Sequence, residues 1–373
     1  MAIQDRNKLI KLLGPSCSAE EIKAVERVLR SGWWGLGPVT EAFEQAFAKF
    51  VGVHHAVALN SCTAALHLSL KAVIAKVGRK GSVIVPALTF ISSAAAALYE
   101  GCEVVFADVD ERTFCLDPAD VRRKITRDTI AIIPMHYAGV LSGVDNGKSH
   151  ITIIEDCAHA AGTPGAGKTG KLSAWSFHAV KNIATGDGGM VTTDDHKAAE
   201  FIRRLRWMGI DRSTYQRSKK GKYDWEYDIS QLGYKYHSND IMSAIALVQL
   251  RRLKELNSKR RAIAERYNKA FRDLPIKLPP ESGSWHLYVI RVDKRYRNRL
   301  IDFLRKRNIS SSVHYKPLYY FPMFGWNIKE KGKSLPKTEK IWREIVSLPI
   351  FPDLTQAEQR RVITAIKDFF YNI

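Results

Sequence analysis

No apolar run in this sequence reaches the roughly 18 residues that a membrane-crossing helix requires. The most apolar stretch, Ser92–Tyr99, is long enough only for one strand or a short helix. The opening segment, Met1–Gly14, is broken by Asp5, Arg6, Lys8 and Lys11, so it lacks the apolar centre of a secretory signal. Cysteine is sparse: Cys17, Cys62, Cys102, Cys115 and Cys157 are the five in 373 residues. Their number is odd, their spacings are wide, and no C-x-x-C occurs. These features exclude a disulfide scaffold, give no reason to expect a metal site, and point to a reducing, cytoplasmic setting. Also missing are internal repeats, any recognised nucleic-acid motif, and any unbroken run of about five to eight basic residues.

What is present is an ordinary folded composition, 45% apolar and 26% charged. The length predicts roughly two domains. Such a chain can bury a large core without covalent staples. Charge is the unusual property: 58 basic minus 38 acidic residues leaves +20. The basic residues are dispersed, as in Arg203-Arg204, Lys219-Lys220, Arg251-Arg252, Lys259-Arg260-Arg261 and Arg360-Arg361. Dispersal of this kind reads as solvated helix faces rather than a nucleic-acid track.

Strand and helix patterns alternate through the first two thirds. Strands are predicted at His55–Asn60, Val83–Pro86, Val104–Val109, Ile130–Pro134, Ile151–Ile154, Ala174–His178 and Met190–Thr193. Helices are predicted at Thr63–Lys76, Ser92–Tyr99 and Ala119–Thr126. The alternation implies an α/β domain with a mixed, mostly parallel sheet. A long helical period runs from about Ser238 to Asp273, through Ile241, Ala244, Ile245, Val248, Leu253 and Leu256. Beyond it lie a strand at His286–Val292, a helix at Tyr296–Arg307, a strand at Ser311–His314 and a helix at Gln356–Phe370 capped by Thr355. The expected organisation is a large domain over 1–250 and a smaller α+β domain over 251–373. Arg212–Tyr227, polar, basic and aromatic, reads as a loop.

Three segments carry chemistry. Lys181 follows a strand and precedes the turn Gly186-Asp187-Gly188-Gly189. A lysine becomes a nucleophile when it is desolvated or set beside other cations, although a lone lysine is usually a surface residue. Asp156 ends a strand, where open α/β sheets bind ligands. A carboxylate there can pair with a protonated pyridine nitrogen, as it would in a pyridoxal phosphate (PLP) site, or simply cap the next helix. Asn60–Leu66 joins a strand to a helix with small and hydroxyl residues, a pattern that suits an anion at the helix N-terminus or a plain cap.

Taken in order, Ser61–Leu66, Pro86–Phe90, Glu155–Gly162 and Ser176–Gly189 resemble the DegT family of PLP-dependent nucleotide-sugar aminotransferases. Trp34–Pro38, Gly233–Tyr236 and Ser347–Pro349 extend the resemblance over essentially the whole chain. Within the family, His136–Gly139, Trp285–Leu287 and Val313-His314 are similar to the subgroup that forms UDP-4-amino-4-deoxy-L-arabinose. The resemblance implies a fold-type-I PLP aminotransferase. It implies that Lys181 bonds the cofactor covalently and moves a proton, and that Asp156 pairs with the pyridine nitrogen. It places His159 at the phenolic oxygen and Phe90 on the ring. Ser61, Cys62, Ser176, Thr63 and the Thr63 and Ala64 amides fall at the phosphate, and Asn182 shapes the loop. Lys235 stands where many relatives reach the phosphate of a neighbouring subunit, which implies a homodimer. His314, Tyr315 and Tyr319 fall near the substrate, where Arg212–Tyr227 could add cations.

Three departures stand out. Cys62 replaces the usual Gly, Asp187 replaces the usual Glu, and the segment between Gly139 and Ile151 is compressed. The expected reaction passes an amino group from L-glutamate, through the pyridoxamine form of the cofactor, to C4 of a nucleotide-linked ketosugar. Amination at C3 is the alternative. A dehydratase of the same fold has a histidine in place of the lysine, so Lys181 argues against it. A regulatory, nucleic-acid-binding relative is the reading from another class.

Overall fold

In the computed structural model, residues 8–145, 150–211, 215, 225–324 and 335–371 are described. Most of the expected loop at Arg212–Tyr227 lies outside them.

The central sheet has seven strands: β1 (His55–Leu59), β2 (Ser82–Pro86), β3 (Glu103–Ala107), β4 (Thr129–Ile132), β5 (Thr152–Asp156), β6 (Leu172–Ser176) and β7 (Gly189–Thr193). Their spatial order is β1-β7-β6-β5-β4-β2-β3. Strand β7 runs antiparallel to both neighbours, and every other pairing is parallel. Strands β2, β4, β6 and β7 are buried along their whole length. This explains why they read as continuous apolar or small-residue runs instead of alternating ones. The seven strands expected before the long helix are all present, with ends shifted by a few residues.

Helix α1 (Ala19–Ser31) and helix α2 (Pro38–Val51) precede the sheet. Helix α3 (Cys62–Val77) packs under its middle. Its N-cap is Ser61, whose Oγ accepts from the Ala64 N–H at 3.1 Å, and it stops at Gly78 with φ 75°. Helices α4 (Ser92–Tyr99), α5 (Pro118–Lys124) and α6 (His196–Leu205) complete the layers. The chain then enters α7 (Asp240–Phe271), which is 32 residues long. At 1.5 Å per residue it spans about 48 Å. Its early residues Ala246 and Leu253 pack with the large core around Phe43, Phe47 and Trp175. Its later residues Ile263, Tyr267 and Phe271 pack in a second core with Tyr288, Leu300, Val346 and Ile366. That second core is built by β8 (Tyr288–Arg291), α8 (Lys294–Lys306), β9 (Ile345–Leu348) and α10 (Gln356–Tyr371), whereas the intervening α9 (Pro336–Trp342) turns Ile341 to a separate cluster with Leu88 and Val109. The expected division at 250/251 falls inside α7. We propose that the two domains meet along this helix, where packing passes from one core to the other between Leu253 and Ile263.

The expected strand at Ser311–His314 is reduced to a single bridge, Ser312 with Ser347. Beyond it the chain turns toward the cavity described below. Helices α1, α2, α6 and α9 and strand β9 lie outside the sequence expectations. The first was marked by Ser18 and Glu21, a capping box in which each side chain bonds the other residue's backbone.

Glu21 does more than cap. It is 3% exposed, and its Oε1 accepts from Gln249 Nε2 at 2.6 Å and Arg252 Nη1 at 2.5 Å on α7. Burial alone would raise its pKa, but the bonds from Ser18 and Arg252 outweigh it and hold the carboxyl down at about 2. A depressed carboxylate contributes stability that is present above its unfolded pKa and lost as pH falls through the folded one. Thermal melts of Glu21→Gln against wild type should therefore show a deficit of about 2 kcal/mol at pH 7, shrinking as pH falls from about 4.5 toward 2. A deficit unchanged across that range would show that the charge is not what ties α1 to α7.

Candidate active site

The carboxyl ends of β1, β5 and β6 and the N-terminus of α3 converge on a cavity of about 340 Å³. Its lining includes Ser61, Cys62, Thr63, Phe90, Asp156, His159, Ser176, Lys181, His314 and Tyr315. These ten were expected at the site, from segments up to 254 residues apart in sequence (Ser61 to Tyr315). The remaining four expected residues lie elsewhere. Ala64 is buried, and its amide is already taken by Ser61 Oγ, so it is not offered to an anion. Asn182 is buried behind Lys181. Lys235 is exposed, with Nζ 3.5 Å from the Trp207 ring centre. Tyr319 is fully buried and donates to Glu339 Oε1 at 2.5 Å, so its position corrects the expectation that it meets substrate.

Asp156 ends β5 and is fixed at both oxygens. Ser93 Oγ donates to Oδ2 at 2.8 Å, and the Ala158 N–H donates to Oδ1 at 3.1 Å. Burial raises its pKa, against the opposing effects of these bonds and of Lys181. The group is a desolvated carboxyl facing a cavity, and no ion pair to it occurs among the described residues. A ring nitrogen that becomes cationic beside it would supply the missing partner.

Lys181 lies past β6. Burial lowers its pKa to about 8, partly offset by Asp156 and Cys62. Desolvation is therefore what brings the amine toward its neutral, nucleophilic form near physiological pH. Burial holds His159 well below the ordinary histidine range, as does the charge of Lys181. His314 falls to about 4 for the same two reasons. The neutral His159 ring accepts at Nδ1 from the Ala138 N–H at 3.3 Å, so its proton sits on Nε2, 3.0 Å from Tyr315 Oη. Burial also raises the Cys62 thiol well above its usual value, with Asp156 adding to the effect, so it stays protonated.

The phosphate end is formed by Ser61, Thr63, Ser176 and the start of α3, where the Cys62 and Thr63 amides have no carbonyl one turn back. Gly189 permits the approach: a Cβ there would lie 2.3 Å from the Ser61 carbonyl group. The residues present thus fit a planar pyridine phosphate, with an acid for its nitrogen, an amine for its aldehyde, and hydroxyls with a helix terminus for its anion.

Two contributors were missed. Ser93 was read only as part of a small-residue helix. His286 was noted as part of a Trp-His-Leu stretch and as the start of a strand, with no role at the site, yet its Nε2 lies 3.5 Å from Lys181 Nζ. Leu13, Ser92, Met135, Val180 and Asp187 also line the cavity.

Comparison with known proteins agrees with this geometry. The model of the DegT/DnrJ/EryC1/StrS aminotransferase family matches residues 15–367. The chain is 37% identical over 386 residues to the spore coat polysaccharide biosynthesis protein SpsC of Bacillus subtilis (strain 168), covering 98% of both chains. It superposes on Helicobacter pylori PseC, an aminotransferase involved in the biosynthesis of pseudoaminic acid, with a TM-score of 0.89 at 27% identity over 98% of this chain and 100% of that one. Spr1654 of Streptococcus pneumoniae, named as a sugar aminotransferase and solved in its PMP form, gives a TM-score of 0.87 at 30% identity over 97% and 99%. The chain belongs to the DegT/DnrJ/EryC1/StrS aminotransferase family. The expected fold, the sugar aminotransferase class and the PLP cofactor are borne out. Among the described residues, no helix is long and apolar enough to cross a membrane.

Proposed function

We propose that this enzyme moves an amino group from L-glutamate to C4 of a nucleotide-linked ketosugar. The observation that carries the reading is the desolvated amine of the half-buried Lys181 sharing one cavity with the buried Asp156 carboxyl. The bound cofactor supplies an electron sink that stores the amino group between the two half-reactions.

Asp156 would hold a positive charge on the ring nitrogen of the bound cofactor. Lys181 Nζ takes the proton from the donor's α-carbon and later delivers one to the sugar carbon, which is general acid–base work by a positioned amine. His159, whose Nε2 proton faces Tyr315 Oη at 3.0 Å in this structure, would offer that proton to the phenolic oxygen, Phe90 would cover the ring face, and Ser61, Thr63 and Ser176 would hold the phosphate. His314 and Tyr315 face the substrate side. We assign Lys235 to the neighbouring subunit's phosphate in a homodimer. It is exposed at the end of a segment whose Leu232 and Ile229 are 81% and 53% exposed, the kind of apolar surface that a second copy would cover.

The test is the absorption spectrum of the protein with PLP, before and after L-glutamate. The expected result is a lysine-linked band, absent from Lys181→Ala and bleached by glutamate. The pyridoxamine-loaded protein should then aminate nucleotide-linked 4-ketosugars in preference to 3-ketosugars. A band indifferent to amino donors would overturn the assignment, and preference for 3-ketosugars would overturn the position.

A further inference from the structure

We propose that His286 is a positioning residue that presents a bare Nε2 to the Lys181 amine, with its only proton fixed on Nδ1 by Asn182. The inference rests on the reading of Lys181 as the reacting amine.

The assignment follows from main-chain carbonyls, which can only accept. Asn257 donates from Nδ2 to the Ala161 carbonyl at 3.0 Å, so its Oδ1 is its acceptor end. Asn182 donates from Nδ2 to that Oδ1 at 2.7 Å and to the Ser284 carbonyl at 2.8 Å. The amide of Asn182 is thereby oriented, and its Oδ1 is turned to His286 Nδ1 at 3.1 Å. An amide oxygen has no proton to give, so the proton of this bond belongs to His286 Nδ1. A neutral imidazole carries one N–H, which leaves Nε2 as a lone pair aimed at Lys181 Nζ, 3.5 Å away at the outer limit of hydrogen-bond reach.

The backbone holds this arrangement against a local preference. Trp285 has φ 46°, a left-handed conformation that large residues seldom adopt. It is clamped by Ser282 Oγ, which accepts its N–H at 3.0 Å, and by Ser284 Oγ, which donates to the His159 carbonyl at 2.6 Å. Strained backbone that is tied down in this way tends to mark functional positions. The same clamp sets the His286 ring 4.2 Å from that of His159. The two neighbouring imidazoles carry their protons on opposite nitrogens: His159 offers a donor, while His286 offers an acceptor.

An acceptor suits an amine that must aim its own lone pair elsewhere. With one N–H of Lys181 bonded to His286, rotation of the amine about its last carbon is restricted. The bond forms and breaks with no net proton transfer to His286. A second proton on that ring would create a cation in a fully buried site, beside Lys181 and Arg260.

Two measurements decide the matter. In apoprotein labelled with ¹⁵N-histidine, the ring spectrum should show, besides His237, whose Nδ1 faces the Ser238 carbonyl at 2.7 Å, a neutral histidine protonated on Nδ1 whose signal disappears in His286→Gln and loses this tautomer in Asn182→Leu. A His286 ring protonated on Nε2 would overturn the proposal. In the PLP-loaded protein, His286→Leu should keep the lysine-linked band but slow its bleaching by glutamate about 100-fold. His286→Gln, which keeps an acceptor near the Nε2 position, should recover most of that rate, and equal defects in the two variants would overturn the positioning role. If wild-type protein forms no lysine-linked band, the aminotransferase reading fails, whereas the apoprotein spectrum still decides the tautomer.

Discussion

Lys181→Ala should lose amino transfer by about 10⁴-fold or more, because both covalent capture of the cofactor and proton transfer depend on one amine. The fold should survive. Among the described residues, the amine's hydrogen bond is the long contact to His286, and the half-buried side chain lines a cavity, so its removal leaves the packed cores intact. Stability should even rise in the apoprotein. The lysine pKa is about 8 in the folded state against 10.5 for an ordinary lysine. Between those values the unfolded chain binds a proton that the folded chain does not, so wild-type stability increases with pH across that window. Alanine removes this dependence. Its thermal advantage over wild type should be largest below pH 8 and fade toward pH 10.5. Calorimetry of the two apoproteins at several pH values measures it, and parallel curves would mean that the amine is not desolvated.

Asp156→Asn should be the second most damaging change, costing about 10²- to 10³-fold in the rate of the glutamate half-reaction. Its structural cost should be small. Asparagine retains an oxygen for the Ala158 N–H and offers an N–H to the Ser93 hydroxyl, which can rotate to accept it. What vanishes is the negative charge that a cationic ring nitrogen requires. Stopped-flow bleaching of the lysine-linked band by glutamate checks the rate. A variant within about threefold of wild type would remove Asp156 from the reaction.

Asp156 was legible as a candidate because it ends β5, where open α/β sheets bind ligands, whereas Lys181 lies five residues past the end of β6, and the roles of both came from the family resemblance of the segments around them. The sheet was legible for a related reason: β2, β4 and β7 are short buried runs bounded by turn residues. What escaped depended on contacts distant in sequence. Ser93 lies on an alanine-rich helix, and only folding brings its hydroxyl to Asp156, 63 positions later. His286 is given meaning by Asn182 and, through it, by Asn257, and no local pattern announces that chain of bonds. Tyr319 misled because a Tyr-rich stretch near His314 resembles a substrate loop. The short 3-10 turn at Leu318–Tyr320 instead rotates Tyr319 inward to Glu339. Helix α2 has no cap from its own N-cap residue, Gly37; its Val39 and Thr40 amides donate instead to the Asp240 carboxylate, 200 positions on, so the sequence gave a weak start signal.

Helix α7 carries a mechanical consequence. Because one unbroken rod, Asp240–Phe271, furnishes side chains to both cores, the proposed domain boundary falls within a continuous helix and not at a turn. Any movement of the small domain must roll or bend the rod, or be absorbed at the other crossings of the chain. A rod that is shared also transmits loss. If its far end frays, Leu253 and its neighbours on the PLP side lose their backing, and the cavity that relies on Asn257 to orient Asn182 loses its alignment as well.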